Sequence, residues 1–283
     1  MEPARYCPTI DRDQRTARRT WKPSVALQVS GAFHLSGIAA VAVDPMSWPY
    51  VGAALAGNHF LLALAGLCPG SAVLGPNVCR LPRESAMRRQ IALTFDDGPH
   101  REATPRVLDV LDRYRAKASF FCVGSAAARS PDIVREIVRR GHSVENHSQR
   151  HPGGFATYGM RRLRREIEEA QETLAAITQQ RPRFFRAPAG IRNPLLDPVL
   201  AQLDLTYVSW TRRALDTVDA NPATVLRRLV QEIAPGDVLT LHDRPALRSP
   251  EGLPVVLSVL PALLDKITAE NLTPVSLRAA CDA

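Results

Sequence analysis

The chain has 283 residues, of which 45% are hydrophobic and 23% charged, a balance that suits one large or two ordinary globular domains. The net charge of +8 could attract an anionic partner, but the arginines are scattered along amphipathic stretches without interleaved aromatic residues, so we expect no nucleic-acid binding. The five cysteines form no C-x-x-C pair, which argues against a disulfide framework and a thiolate zinc site. This cysteine usage favours a reducing compartment.

The composition of the N-terminal part changes abruptly. Residues 1–22 are polar and rich in arginine, which predicts a basic flexible tail. Residues 23–79 contain two uncharged apolar stretches, each close to the ~20 residues that cross a bilayer. The "DPMSWP" between them has the Pro, Asp and interfacial Trp48 of a tight turn. We therefore predict a hydrophobic helical hairpin that could span a membrane; the alternative is two buried helices of an N-terminal subdomain.

Two features of this segment bear on a membrane location. The apolar stretches contain four polar residues, Gln28, His34, Asn58 and His59. Such residues are costly in hydrocarbon unless they face a partner helix. Basic residues flank both outer ends of the pair, at 12–22 and 80–89. By the positive-inside rule, both ends and the domain that follows would lie in the cytoplasm.

From about residue 90, short apolar stretches alternate with amphipathic ones. The strand candidates are IALTF, ASFFCVG, HSVEN, RFFRAP, LTYVSW, DVLTLHD and TPVSL. The helix candidates begin at Thr104, Ser130, Leu163, Pro222 and Pro254. Strict alternation predicts an α/β fold with parallel strands and crossover helices, in a barrel or barrel-like sheet whose ligand site lies at the carboxyl ends of the strands.

Ionisable residues at those strand ends suggest a metal centre. His147 and His151 are four residues apart, a spacing that puts both imidazoles on the same side of one helical turn. Asp97, after the first strand, could complete a set of two histidines and one carboxylate that leaves positions open for water and substrate. The adjacent Asp96 could then act as a general base, and the cation would relieve the repulsion between the two acids.

Further strand-end residues could support this chemistry. Arg186 is a natural counter-ion for Asp96, and a bidentate pair would fix the carboxylate and keep it ionised. His242 could be the second proton carrier if a carboxylate from the loop with Asp216 and Asp219 raised its pKa, and the sequence does not decide which of the two does so. Asp243, next to His242, is interpreted as structural.

Motifs at these residues closely resemble those of the polysaccharide deacetylase family, the NodB-like domain of carbohydrate esterase family 4. They occur in the family's order: TFDDGP at 94–99, HSQRH at 147–151, RAPAG at 186–190, DTVDA at 216–220 and LTLHD at 239–243. The resemblance covers about residues 88–278. It implies a distorted (β/α) barrel with about seven parallel strands, preceded here by the hairpin. It also implies a divalent metal, most often zinc, with cobalt, nickel or manganese as alternatives.

The resemblance also assigns roles to individual positions. Asp96 corresponds to the catalytic base, and His242 to the general acid. Arg186 corresponds to the residue that holds the base. The metal ligands correspond to Asp97, His147 and His151.

Three positions depart from the family's pattern. Ala189 stands where an aromatic residue is common; it would serve an oxyanion hole through its backbone N–H, but a wall of the groove is lost. Ala220 replaces a common Trp, and Thr240 replaces a Leu that often lines the acetyl pocket. The metal centre therefore looks intact, while the substrate cleft looks remodelled.

The sequence thus predicts a metal-dependent hydrolase that removes acetyl groups, most often N-acetyl, from a carbohydrate. One alternative is a deacylase, deformylase or O-acetyl esterase that acts on a lipid-linked sugar, which the hairpin favours. Another is a non-catalytic carbohydrate-binding homologue. The predicted cytoplasmic, membrane-associated location conflicts with the resemblance, because relatives that act on polymers usually work outside the cell.

Overall fold

The computed structural model describes residues 20–282, so almost all of the predicted basic tail lies outside the described residues. Its helices are α1 Val25–Val43, α2 Trp48–Leu67, α3 Arg83–Met87, α4 Ala103–Arg113, α5 Gly124–Arg129, α6 Pro131–Arg139, α7 Met160–Thr178, α8 Leu196–Gln202, α9 Pro222–Val230, α10 Val255–Ala269 and α11 Leu277–Asp282. Its strands are β1 Gln90–Asp96, β2 Ser119–Cys122, β3 Ser143–Asn146, β4 Phe184–Phe185, β5 Thr206–Tyr207, β6 Arg212–Arg213, β7 Val238–His242 and β8 Thr273–Val275.

The strands form one parallel sheet in the order β5-β4-β3-β2-β1-β7-β6, and β8 pairs with the beginning of β1. This arrangement confirms the predicted α/β class with parallel strands and crossover helices. It differs from the prediction by one strand. The candidate strand 205–210 ends early, at Tyr207, and the chain pairs again with β7 at Arg212 and Arg213.

Side-chain alternation along the central strands decides which residues reach the site. On β1, Ile91, Leu93 and Phe95 belong to the core between the sheet and its outer helices. Successive side chains of a strand point to opposite faces, so Thr94 and Asp96 point to the inner face. Because β1 and β7 are in register, with Thr94 opposite Thr240 and Asp96 opposite His242, the inner face carries polar residues from both strands.

The segment before α3 pairs with the sheet at two places. Val78 forms a bridge with Val208, beyond the end of β5, and Arg80 forms one with Asp237, just before β7. Leu74, Val78 and Leu81 are buried. We predicted that the hairpin segment extends to residue 79, but we propose from these contacts that residues 74–81 belong to the α/β domain.

The hairpin helices are exposed along almost their whole length. The two helices are long and apolar enough to cross a membrane, judged by length and composition alone. Across α1 and α2, only Ser30 and Gly66 are buried, and Trp48, the first residue of α2, is 65% exposed. The alternative prediction of two buried helices is therefore wrong for this structure.

Most of the polar residues of the hairpin face the partner helix. The Asn58 side-chain amide donates to Ser30 Oγ at 2.8 Å. The rings of His34 and His59 meet edge to face, with centroids 5.1 Å apart. Gln28 instead donates to the carbonyl of Pro23, at the beginning of the hairpin, at 2.9 Å. These contacts reduce the cost that the polar residues would carry in hydrocarbon.

The base of the hairpin is attached close to the carboxyl-terminal rim of the sheet. Ser24 Oγ donates to the Val73 carbonyl at 2.6 Å, and the Arg192 N–H donates to the Gly66 carbonyl at 3.0 Å. A Cβ atom on Gly66 would lie 2.1 Å from the Arg192 carbonyl oxygen, so only glycine allows this approach. Arg192 follows the strand-end motif at 186–190, and the hairpin is therefore fixed to a loop next to the site.

Candidate active site

The two adjacent acids at the end of β1 both line one cleft of about 380 Å³. Asp96 is the last residue of the strand, and Asp97 has a φ of +72°. This left-handed conformation is uncommon for a residue other than glycine and changes the direction of the chain just after the strand. The alternation that would send Asp97 to the opposite face ends there, so both carboxylates can reach the same cavity.

The two histidines of the second motif converge through a loop. We predicted one helical turn, and this is wrong, because residues 147–151 are not helical. Ser148 and His151 have φ values of +64° and +50°. Side chains stabilise the loop from within: Asn146 Oδ1 accepts from the Ser148 N–H at 2.9 Å, and Ser148 Oγ accepts from the His151 N–H at 3.1 Å. The imidazole centroids lie 4.9 Å apart as a result.

Asp97, His147 and His151 form a compact cluster whose ligand atoms lie within 4.8 Å of one another. Asp97 Oδ1 is 3.2 Å from His147 Nε2 and 3.1 Å from His151 Nε2. His147 Nδ1 is 2.8 Å from the Arg186 carbonyl; a carbonyl only accepts, so Nδ1 carries the proton and the Nε2 lone pair faces the cluster. One carboxylate and two imidazoles, with His147 in this tautomer, fit a divalent transition-metal ion.

The electrostatics of the cluster suit a metal site. Burial acts to raise the pKa of Asp97, but the contacts with His147 and His151 hold this pKa well below its usual range when the two imidazoles are protonated. Burial lowers the pKa of His151, and the neighbouring His147 lowers it further. An ionised carboxylate beside a neutral imidazole is the protonation state that metal coordination requires.

Asp96 is buried against Arg186, which is fully buried. Arg186 Nη1 donates to Asp96 Oδ1 at 2.6 Å and to Thr94 Oγ1 at 2.8 Å. The predicted bidentate pair is not formed, because Nη2 and Nε donate to the carbonyls of Ser209 and Val208 instead. The contact fixes one carboxylate oxygen and leaves the other without this partner.

Across the cleft, His242 is paired with Asp216. His242 Nδ1 lies 2.7 Å from Asp216 Oδ1, and the His242 backbone N–H donates to Asp216 Oδ2 at 3.0 Å. Burial acts to lower the pKa of His242, but the hydrogen bond and charge of Asp216, aided by Asp96 and Asp97, outweigh it and raise the pKa to about 9. At neutral pH, this pKa favours the imidazolium form, in which both ring nitrogens carry a proton.

Asp219 does not orient His242, although we predicted it as a possible partner. Its carboxylate pairs with Arg228 at 2.8 Å and accepts from the Asn221 N–H at 3.0 Å, just before α9. The ambiguity between the two acids is thus resolved in favour of Asp216. Asp219 has a local role at the beginning of α9.

The two predicted substrate-binding positions differ in their location relative to the cleft. Ala189 lines the cleft and has a φ of +56°. Thr240 is fully buried, and its hydroxyl lies 3.1 Å from Thr94 Oγ1, one layer below the cleft. We predicted that Thr240 lines an acetyl pocket; it is instead a neighbour of the Thr94 hydroxyl that accepts from Arg186.

Several residues of the cleft wall were not predicted. Trp210, Arg213 and Arg244 line the cleft. Trp210 packs on Gly190, where an added Cβ would lie 2.2 Å from the indole ring. The aromatic wall missing at Ala189 is therefore supplied from the segment after β5. The sequence offered a signal for two of these residues, because Trp210 ends one strand candidate and Arg244 directly follows another.

Asp243, which we interpreted as structural, is buried beneath the cleft. Its Oδ2 accepts from Thr104 Oγ1 at 2.5 Å. Burial raises the pKa of Asp243 to about 7. The carboxylate also lies against Gly98, where an added Cβ would come within 2.2 Å of it. Gly98 therefore lets the turn after Asp97 pack closely on β7.

Known proteins resemble this chain in fold and sequence. A family model described as polysaccharide deacetylase matches residues 83–208. A chitooligosaccharide deacetylase of Sinorhizobium fredii is 33% identical over 58% of this chain and 76% of its own length. A peptidoglycan-N-acetylglucosamine deacetylase of Bacillus cereus is 30% identical over 63% of this chain and 65% of its own length.

A solved structure agrees with these matches. The family 4 carbohydrate esterase of Streptomyces lividans, in complex with acetate, superposes with a TM-score of 0.59 at 30% identity, covering 65% of this chain and 91% of that one. The fold, the strand-end residues and these similarities lead to the same assignment. The chain belongs to the polysaccharide deacetylase family.

Proposed function

We propose that this protein is a metal-dependent hydrolase that removes N-acetyl groups from a carbohydrate. The observation that carries the proposal is the cluster of Asp97, His147 and His151, next to a separately held acid, Asp96. The names of the relatives from Sinorhizobium fredii and Bacillus cereus support acetylated amino sugars as the substrate class. Asp97, His147 and His151 would hold the cation, with zinc as the expected metal.

Asp96 is the proposed general base. Its carboxylate lies in the cleft next to Asp97, and Arg186 fixes it from the side away from the cavity. A positioned carboxylate of this kind can take the proton of a water as it attacks the acyl carbon. When bound, the divalent cation would make that water more acidic and polarise the acyl oxygen.

His242 is the proposed general acid. Amide hydrolysis needs a proton on the departing nitrogen, and the contact with Asp216 keeps a proton on His242. With Nδ1 engaged by Asp216, the free Nε2–H is the atom that can donate into the cleft. The Ala189 backbone N–H is the proposed donor to the developing oxyanion, a contact typically worth about 3 to 4 kcal/mol.

Acetate release tests this function directly. The zinc-loaded full-length chain should release acetate from tetra-N-acetylchitotetraose, and treatment with a chelator should stop the release until zinc is restored. Formate release from the N-formyl analogue, measured in parallel, tests the alternative deformylase reading. Zinc binding without release of either acid would favour the non-catalytic homologue.

We also propose that α1 and α2 anchor the protein in a membrane. Their exposed apolar surface and their inward-facing polar residues support this. The basic residues at both outer ends favour a cytoplasmic catalytic domain. Protease added to intact cells should then leave the catalytic domain uncut, whereas digestion without lysis would contradict this orientation.

A further inference from the structure

Two adjacent arginines on β6 have opposite environments. Arg212 and Arg213 point to opposite faces because they are neighbours on a strand. Arg212 Nε donates to the buried Asp237 at 2.8 Å, and its other nitrogens donate to the carbonyls of Gln231 and Glu232. Each of the three guanidinium nitrogens of Arg212 therefore has a partner within the chain.

Arg213 lines the cleft and has no such partners among residues 20–282. Its Nε is buried without a hydrogen-bond acceptor. Its guanidinium lies 5.1 Å from the centroid of the Trp210 ring, which orients the group without neutralising it. A partly buried guanidinium with an unpartnered N–H is costly unless a ligand supplies the acceptor.

A second arginine of the cleft is exposed at its surface. Arg244 directly follows the His242–Asp243 pair at the end of β7 and lines the cleft. Nearby Arg248 pairs with Glu102 at 2.8 Å. Within the described part of the chain, no carboxylate forms an ion pair with Arg244. The two cleft arginines are thus cationic groups that the protein leaves available.

The acids of the cleft are already engaged and cannot balance these charges. Asp97 contacts the two histidines, and Asp96 is paired with Arg186. Arg213 and Arg244 therefore leave the wall of the cleft positively charged next to the site of hydrolysis. Guanidinium groups bind carboxylates and phosphates through paired, charge-assisted hydrogen bonds.

We propose that Arg213 and Arg244 bind an anionic group, a carboxylate or a phosphate, on the saccharide whose acyl group is removed. This inference rests on the proposed function, since it specifies the substrate of the same cleft. The Trp210 ring lies beside the Arg213 guanidinium and lines the same cleft. The substrate is thus an anionic acylated saccharide, and a neutral chitin oligomer lacks the group that the wall recognises.

The test compares three oligosaccharides with the zinc-loaded full-length protein. They are neutral tetra-N-acetylchitotetraose, an alternating N-acetylglucosamine and N-acetylmuramic acid tetrasaccharide with carboxylates, and tetra-N-acetylchitotetraose carrying a reducing-end phosphate. We expect kcat/KM for an anionic substrate to exceed that for the neutral one roughly tenfold or more, as expected for a charge-assisted contact. The anionic substrate that is preferred identifies the group as carboxylate or phosphate.

Substitutions then attribute the preference to the wall. R213Q combined with R244Q should bring the ratio of kcat/KM between anionic and neutral substrates close to one. Arg213→Lys keeps the charge and should retain part of the preference, which separates recognition from loss of folding. Arg161→Gln, at an exposed position on α7, is the matched control and should leave the ratio unchanged.

Equal kcat/KM values for all three substrates, or a preference that survives the double substitution, would overturn the inference while leaving the deacetylase function standing. Absence of acetate release from every substrate would instead contradict the proposed function. Calorimetric binding of the same three oligosaccharides then decides the inference independently. Tighter binding of an anionic one that is lost in the double variant supports it, and equal binding refutes it.

Discussion

The floor and the wall of the cleft are built in different ways. On the floor, the chain itself provides partners for the reactive groups: Asp97 contacts two histidines, Asp96 pairs with Arg186, and His242 pairs with Asp216. On the wall, Arg213 and Arg244 have no carboxylate partner within residues 20–282. The difference separates chemistry from selectivity. Changes to the floor should impair the reaction with every substrate, whereas changes to the wall should alter which substrate is preferred.

The largest effect is expected at the metal ligands of the floor. Asp97→Ala removes the only carboxylate of the cluster, so zinc binding and acetate release should both fall to background with neutral and anionic substrates alike. Metal content per chain and acetate release measure this. Substantial zinc retention with normal turnover would show that the floor does not depend on this cluster.

Arg186 tests the buried support beneath the floor. Arg186→Lys cannot reproduce contacts with Asp96, Thr94, Val208 and Ser209 together. Breaking a buried ion pair typically costs about 3 to 5 kcal/mol in the free energy of unfolding, measurable by urea denaturation. Arg183→Lys, on the other side of β4 and in a partly exposed pair with Asp282, is the control and should change stability little. Equal effects of the two would contradict the supporting role.

Asp216 should act through the pH dependence of the reaction. His242 must be protonated to donate, so kcat/KM should fall as the pH rises through the pKa of His242. Asp216 raises this pKa to about 9, and a bound cation would lower it from that value. Asp216→Asn removes the charge that raises this pKa, and the alkaline limb should move to lower pH. Asp219→Asn, in the pair with Arg228, should leave the limb in place. If the alkaline limb moved with Asp219→Asn and not with Asp216→Asn, Asp219 would be the partner of His242.

The smallest effect is expected at Thr240, one layer below the floor. Thr94 Oγ1 donates to the Leu239 carbonyl, so Thr240 must donate to Thr94. Thr240→Val removes the hydrogen bond that Thr94 accepts from Thr240, and it should lower the free energy of unfolding by about 1 kcal/mol. Thr94→Val should cost more, because it also leaves the Arg186 N–H and the Leu239 carbonyl without this partner. Denaturant titration of both variants measures the two losses of stability. A larger loss for Thr240→Val than for Thr94→Val would contradict this account.

The sequence was sufficient to find the floor but not its internal geometry. Parallel strands bring their carboxyl ends together, so Asp96, His147 and His242 could be grouped from position alone. The conformation of 147–151 depends on side-chain hydrogen bonds within the loop, which spacing does not encode. The choice between Asp216 and Asp219 likewise depends on the path of a loop.

The wall was less predictable because its residues act through tertiary contacts. Trp210 fills the position left by Ala189 only because Gly190 allows the indole ring to approach. Arg212 and Arg213 look alike in sequence, and only the pairing of β6 with β7 decides which of them faces the cleft. Thr240 was misjudged because alternation along β7 gives its direction but not its depth in the barrel.

The most direct test of the floor is a double measurement on Asp96→Asn. Asp96 lies in the cleft but outside the ligand cluster, so the variant should still bind one zinc ion per chain. Acetate release should nevertheless fall by about 10² to 10⁴, the usual contribution of a general base. Undiminished acetate release from a zinc-loaded Asp96→Asn protein, or loss of zinc together with activity, would contradict the division of roles between Asp96 and Asp97.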